Sequence, residues 1–178
     1  MKGFSTKKIV LGGLFMALIF VTTVFTRISL PKGGYFNLGD VFVMISAVFL
    51  GRYYGFFVGG VGSAMADLYM GYTYYAPITL IVKGLEAFVV ALLLGDKGAK
   101  NSIKTAAAVA IGAFIMVAGY FIAEGYILSF VDKNLGLAAA VTNLPFNLVQ
   151  GCLSGVTAFF LFKVMAKANL LQLDPRDI

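Results

Sequence analysis

The chain has no histidine, one cysteine (Cys152) and only 12% charged residues among its 178. Without histidine, neither a serine–histidine nor a cysteine–histidine nucleophile can be assembled. A zinc or haem site lacks its ordinary ligands, and a disulfide framework needs more than one cysteine. The charged fraction is about half the usual quarter of a globular domain. What fills the space is apolar: 60% of residues are hydrophobic and mean hydropathy is +0.92. A chain this short buries too little of its surface to hide that much apolar area from water. The composition therefore predicts an integral membrane protein. Its net charge of +6 is spread along the chain rather than gathered on one basic face, which argues against nucleic-acid binding.

A membrane-crossing helix needs roughly 20 mainly apolar residues. Apolar runs between charges and turn residues give six candidates, at about 9–25, 38–50, 53–69, 76–94, 106–130 and 137–165. The second is short and requires tilt, a kink or shielding by neighbours. Lys2, Lys7 and Lys8 ahead of the first run resemble a signal peptide, but no small-residue cleavage site follows. With no linker or low-complexity stretch, residues 1–178 read as one domain: an all-α membrane protein, a six-transmembrane-helix bundle.

Six spans put both termini on one side, and basic residues choose it. Placing the N-terminus inside puts Lys2, Lys7, Lys8, Arg52, Lys97, Lys100, Lys104, Lys163, Lys167 and Arg176 in inner segments, against Arg27, Lys32 and Lys133 outside. Both termini are expected to be cytoplasmic, with the chain multi-pass in the membrane.

Ionisable residues within spans are costly and normally face a cavity or a partner. At about 1.5 Å per helical residue, Lys83 and Glu86 lie roughly 10 and 15 Å below the outer end of the fourth helix, on one face. Tyr120 and Glu124 sit near the outer end of the fifth. Asn143, Asn147 and Gln150 follow a helical face of the sixth. Asp67 is near the outer end of the third helix, and Asn37 and Asp40 open the second. Five helices thus direct polar groups to one half of the membrane, which predicts a pocket open to the outside. Asp40 reads as a helix cap. Other structural readings are an internal Lys83–Glu86 ion pair and interhelical bonding by Asn143 and Asn147. Tyr74 and Tyr75, in a run with Tyr69 and Tyr72, suit an interfacial aromatic belt or the pocket mouth. The segment from Leu30 to Asp40 carries the glycines of a candidate lid.

Small residues form two further surfaces. Gly12, Gly13 and Ala17 cluster on the first helix, where the spacing of Gly13 and Ala17 permits close approach by another helix. The glycines and alanines from Gly55 to Ala66 predict tight packing of the third helix within the bundle. The chain has no Walker-type phosphate loop and no repeated half-transporter symmetry, so it offers a binding site without a visible source of energy.

The run Asn37-Leu-Gly-Asp-Val, Leu50-Gly, Gly59-Gly-Val-Gly-Ser-Ala-Met-Ala-Asp67-Leu, Tyr74-Tyr-Ala-Pro77 and Lys83-Gly-Leu-Glu86 resembles the S components, the substrate-binding membrane subunits, of energy-coupling factor (ECF) transporters. More narrowly, it is similar to members assigned to hydroxymethylpyrimidine or vitamin B6-type substrates. The resemblance implies a non-catalytic specificity subunit of an ABC-type importer that binds a small vitamin or precursor from outside. It implies partnership with a transmembrane coupling subunit (T component) and two cytoplasmic ATPases, which would hold the ATP and magnesium; this chain would carry no cofactor of its own. It gives Gly13 and Ala17 the place of the family's alanine-xxx-alanine docking pair. It puts ligand contacts on the outer parts of helices four to six beneath the first loop, the positions of Glu86, Glu124 and Asn147. The residues themselves leave three other classes open: an ion-coupled carrier using Glu86 or Glu124 as a proton site, a membrane enzyme acting on a lipid, and a structural scaffold. No paired aspartate motif for metal–pyrophosphate chemistry supports the enzyme, and a scaffold leaves the carboxylates without a role.

Overall fold

A computed structural model describes residues 6–95, 101–168 and 170. Of the cations used above for orientation, Lys2, Lys97, Lys100 and Arg176 lie outside the described residues. Among those described, the chain forms six α-helices: α1 (Thr6–Phe25), α2 (Asp40–Leu50), α3 (Arg52–Met70), α4 (Ala76–Leu94), α5 (Ser102–Ile122) and α6 (Leu137–Lys167). Four of the helical stretches, α1, α4, α5 with its extension to Phe130, and α6, are long and apolar enough to cross a membrane. Helix α2 is only 11 residues long, and α3 is diluted by glycines, Arg52 and Asp67. Large apolar side chains such as Leu14, Phe57, Leu92, Phe114, Val156 and Phe160 are exposed around the bundle. In water that surface would be an aggregation hazard; against acyl chains it is the expected exterior.

Local chemistry explains the ends of the elements. Gly71 closes α3 in the left-handed conformation at φ +85°, with its N–H bonded to the carbonyls of Asp67 and Leu68. Pro77 stands in the first turn of α4, where a missing N–H costs nothing. Asn101 caps α5 by accepting from the Lys104 N–H. Within α6, Pro145 removes one backbone donor in the stretch that carries the amide side chains.

Helices α3 and α4 pack closely because both offer glycine at the crossing. A Cβ on Gly60 would overlap the Leu80 carbonyl, and one on Gly84 would come within 2.7 Å of the Phe56 ring. The small residues of α3 thus serve the interior of the bundle. Between α1, α2, α3, α4, α5 and α6, the half nearer Arg52, Lys104 and Lys167 is filled by Phe15, Val43, Met44, Val90, Leu94, Ala108 and Phe162.

At the opposite end two features depart from plain helices. A small antiparallel hairpin, β1 (Ile28–Ser29) with β2 (Tyr35–Phe36), pairs Ile28 with Phe36 and Ser29 with Tyr35. Helix α5 also widens into a π-turn at Ala123–Ile127 before a 3₁₀ turn at Leu128–Phe130. Neither follows from hydropathy, which extends the fifth helix unbroken to Phe130.

Candidate functional site

Beneath the hairpin lies a small cavity of about 20 Å³. The loop contributes Leu30, Gly34, Tyr35 and Asn37. Tyr75 and Thr79 come from the start of α4, Tyr120 and Glu124 from α5 and its π-turn, and Asn147 and Gln150 from α6. A π-turn adds a residue to a helical turn and is frequent at functional sites; here it carries Glu124 to the cavity wall.

Glu124 is buried without a cation beside it among the described residues. Its two oxygens accept from Tyr75 Oη at 3.3 Å and Asn143 Nδ2 at 3.1 Å. Asn143 Nδ2 also donates to the Gly33 carbonyl at 3.0 Å, so the same amide ties the carboxylate to the loop. Gly33 and Gly34 both have positive φ, +87° and +71°, and a Cβ on Gly34 would sit 3.2 Å from Glu124 Oε1. Only glycine meets both demands without strain. The loop is therefore seated on the acidic wall of the cavity rather than merely hanging above it.

Gln150 forms the opposite wall. Its Oε1 accepts from the Asn37 N–H at 2.8 Å, and its Nε2 donates to Asp40 Oδ2 at 2.8 Å. Asn37 Oδ1 in turn accepts from the Gly39 N–H at 2.8 Å. The turn entering α2 is thus stabilised by Asn37. Asp40 is no cap: it is fully buried, and its other oxygen forms an ion pair with Lys83. The capping expectation fails because a lysine on α4 reaches the first turn of α2.

Lys83 and Glu86, expected in the site, stand behind the cavity and do not line it. Lys83 lies between Asp40 and Glu86, at 3.6 Å from Glu86 Oε2 and 5.4 Å from the centre of the Tyr120 ring. Neither Glu86 oxygen has a hydrogen-bond donor among the described residues. Asp67 is also set back, accepting from Tyr35 Oη and so fixing that ring against the cavity. Tyr74 faces the α5–α6 connection, 3.5 Å from Asp132 Oδ2. Asn143 holds Glu124 from behind. Of the sequence-derived site residues, Asn37, Tyr75, Tyr120, Glu124, Asn147 and Gln150 line the cavity together.

Four lining residues were not singled out individually from sequence: Leu30, Gly34, Tyr35 and Thr79. Thr79 lies one helical turn before Lys83, a spacing that marks a shared face, and it pairs with Tyr120 Oη at 3.0 Å. Tyr35 has no such signal beyond its place in the glycine-bearing loop. Burial pushes the Tyr35 and Tyr75 phenols above the ordinary tyrosine range, and the neighbouring carboxylates of Asp67 and Glu124 add to the rise. Both rings therefore remain hydrogen-bond donors. Asn147 is buried and its Nδ2 has no partner among the described residues. An unpaired buried amide is expensive; this one points to a cavity.

The docking candidates on α1 divide. Gly13 and Ala17 are exposed, and a Cβ on Gly13 would meet nothing within 4 Å. Gly12 is buried, with its Cβ position 3.4 Å from Val58 Cγ2. It packs α1 onto α3 rather than facing outward. Beside Gly13, a groove of about 460 Å³ runs between α1 and the start of α3, edged by Ile9, Met16, Tyr53 and Phe57.

Residues 3–167 match the family described as ECF-type riboflavin transporter, S component. The chain is also 40% identical, over 109 residues, to a Pyrococcus woesei protein described as an uncharacterized protein in a gap 3′ region. That alignment covers 61% of this chain and 71% of the other.

Proposed function

The chain belongs to the S-component family of ECF-type transporters, and we propose that it captures a small vitamin or vitamin precursor from outside for ATP-driven uptake. The observation that carries this reading is the cavity itself. Among the described residues Glu124 has no cationic partner and Asn147 presents an unpaired amide, and phenol rings lie around them under a glycine-bearing loop. That is a donor-and-acceptor cradle for a polar, planar molecule.

The family description names riboflavin. The lining of the cavity favours something smaller. At about 20 Å³ the closed cavity has room for little more than a water, so the hairpin must shift to admit any vitamin, and Leu30 is the sole aliphatic side chain in the lining. A single heteroaromatic ring with amine or hydroxyl substituents, such as hydroxymethylpyrimidine, pyridoxine or pyridoxamine, suits that donor set and asks for the smaller movement. Three fused rings with a polyol tail would require the hairpin to lift much further. The acidic Glu124 also favours an amine-bearing ligand over an anionic one.

Orientation follows from charge. Lys7, Lys8, Arg52, Lys104, Lys163 and Lys167 gather at one end of the bundle, and the cavity is at the other with Arg27, Lys32 and Lys133. In this reading all six helices cross as one domain of a prokaryotic plasma membrane, with both termini cytoplasmic and the cavity outside. The short α2 crosses only with its neighbours' shielding. The chain is no enzyme and holds no cofactor. A T component docks on the exposed Gly13–Ala17 face, and two cytoplasmic ATPases supply the energy.

Isothermal titration of the purified full chain with hydroxymethylpyrimidine, pyridoxine, pyridoxamine and riboflavin tests the reading. Submicromolar binding of one single-ring compound, with riboflavin at least a hundredfold weaker, is the expected result. Tight riboflavin binding would keep the S-component assignment and overturn the substrate. Binding of none of them, with mass spectrometry finding no small molecule in the protein as isolated, would reject the cavity as a vitamin site.

A further inference from the structure

A second and larger concavity lies on the lipid-facing side of the bundle, apart from the vitamin cavity and the α1 face. It is a groove of about 670 Å³ between α5 and α6, floored by Ala110, Ala113, Gly151, Cys152 and Gly155 and flanked by aromatic rings at Phe114 and Phe160. Its residues on α6 run from Leu144 to Phe160, roughly 24 Å of helix. That matches most of the apolar thickness of a bilayer. Small side chains on both helices leave a slot open between them.

The groove is apolar along its length and cationic at one end. Ser102 is one helical turn beyond Ala106, and Lys163 one turn beyond Phe159, on the groove's own faces. Lys163 Nζ bonds Ser102 Oγ at 2.5 Å, closing that end with an ammonium. Lys104 and Lys167 are exposed nearby on the same two helices. No described carboxylate competes for these cations: Asp40, Asp67, Glu86, Glu124 and Asp132 all belong to the other half of the bundle or to its buried interior. An apolar slot ending in lysines that pair with no carboxylate among the described residues is complementary to one chemical class, a lipid with an anionic headgroup.

We propose that the α5–α6 groove is a binding site for an anionic phospholipid of the leaflet at the basic end, with one acyl chain along Gly151 and Gly155 and the phosphate at Lys163. It is independent of what occupies the vitamin cavity. Basic pockets between membrane helices at this depth bind anionic headgroups, and zwitterionic lipid gains nothing from the lysines.

Cys152, the chain's one cysteine, lies exposed in the groove and supplies a reporter. The full chain, labelled at Cys152 with bimane and placed in phosphatidylcholine nanodiscs, is titrated with chain-brominated phosphatidylglycerol or chain-brominated phosphatidylcholine. Bromine quenches only on contact. Brominated phosphatidylglycerol is expected to quench at about fivefold lower mole fraction, and Lys163→Ala should erase the difference while vitamin affinity stays unchanged. Equal quenching by the two lipids, or a preference that survives both Lys163→Ala and Lys104→Ala, would overturn the proposal. So would absence of quenching with concentration-dependent self-association, which would make the groove an interface between copies. Native mass spectrometry of unlabelled chain gives the check if labelling perturbs the groove: phosphatidylglycerol adducts should outlast phosphatidylcholine adducts.

Discussion

Gln150 joins the cavity to the buried charges: its amide nitrogen holds Asp40 Oδ2 at 2.8 Å while its oxygen holds the Asn37 N–H at 2.8 Å. One side chain on α6 therefore fixes both the end of the loop and the carboxylate that pairs with Lys83. Replacing it with leucine removes both bonds and leaves a buried N–H without a partner, at a cost of about 1–3 kcal/mol. Gln150→Leu should weaken vitamin binding by at least tenfold and lower the detergent melting temperature. Titration calorimetry and a thermal shift assay measure the two effects; if neither moves, the bridge is idle.

The Lys83–Asp40 pair is fully buried, with Glu86 beside it. Removing one partner from such a pair strands the other charge and costs roughly 3–5 kcal/mol, whereas replacing both can be nearly neutral. Lys83→Met should therefore destabilise severely, and Lys83→Met with Asp40→Asn should recover most of the loss. A double-mutant cycle on melting temperature decides it. Simple additivity would mean that the pair contributes nothing.

Glu124→Gln keeps the shape of the wall and removes its charge, and Asn147→Ala removes the unpaired amide. Hydrogen bonds to charged groups contribute about 1.5–3 kcal/mol, so Glu124→Gln should reduce affinity by one to two orders of magnitude. Asn147→Ala should cost the ligand less but leave the protein as stable or more so, since its Nδ2 is unpaired in the ligand-free cavity. Unchanged affinity in both variants would take the site away from these residues.

The extent of the helices was legible because apolar runs and their interruptions set them: α4 falls at Ala76–Leu94 as read, and α1, α3 and α6 differ by three residues or fewer at each end. The polar stripe on α6 was legible for the same reason, since helical spacing puts Asn143, Asn147 and Gln150 on one face. What escaped were features decided by partners distant in sequence. Asp40 looked like a cap because a cap is a local motif; its pairing with Lys83, 43 positions away, is not. The π-turn around Glu124 and the hairpin that brings Tyr35 over the cavity carry no hydropathy signal. Lys83 and Glu86 sit at the right depth, but depth does not say which face of the helix meets the cavity and which meets α2.

The phenols of Tyr35 and Tyr75 ionise above the ordinary tyrosine range. Unfolding releases them to titrate near pH 10, so above that pH the unfolded chain binds fewer protons than the folded one and stability falls as pH rises. Tyr35→Phe with Tyr75→Phe should flatten the alkaline loss of stability, read as detergent melting temperature against pH. An alkaline slope unchanged in the double variant would mean that the two rings titrate normally.

Gly13 offers the separation of binding from transport. Its Cβ position is open, so a large side chain there disturbs nothing inside the subunit, yet it would block a helix from approaching within the distance that small residues permit. Gly13→Leu should bind the vitamin with unchanged affinity, fail to co-purify with the T component, and abolish uptake in cells that express the complete transporter. Gly12→Leu is the informative contrast: it pushes against Val58 between α1 and α3 and should lower stability before it affects assembly. Retention of both assembly and uptake by Gly13→Leu would move the docking face elsewhere on the bundle, since no rearrangement inside the subunit is needed to accommodate that side chain.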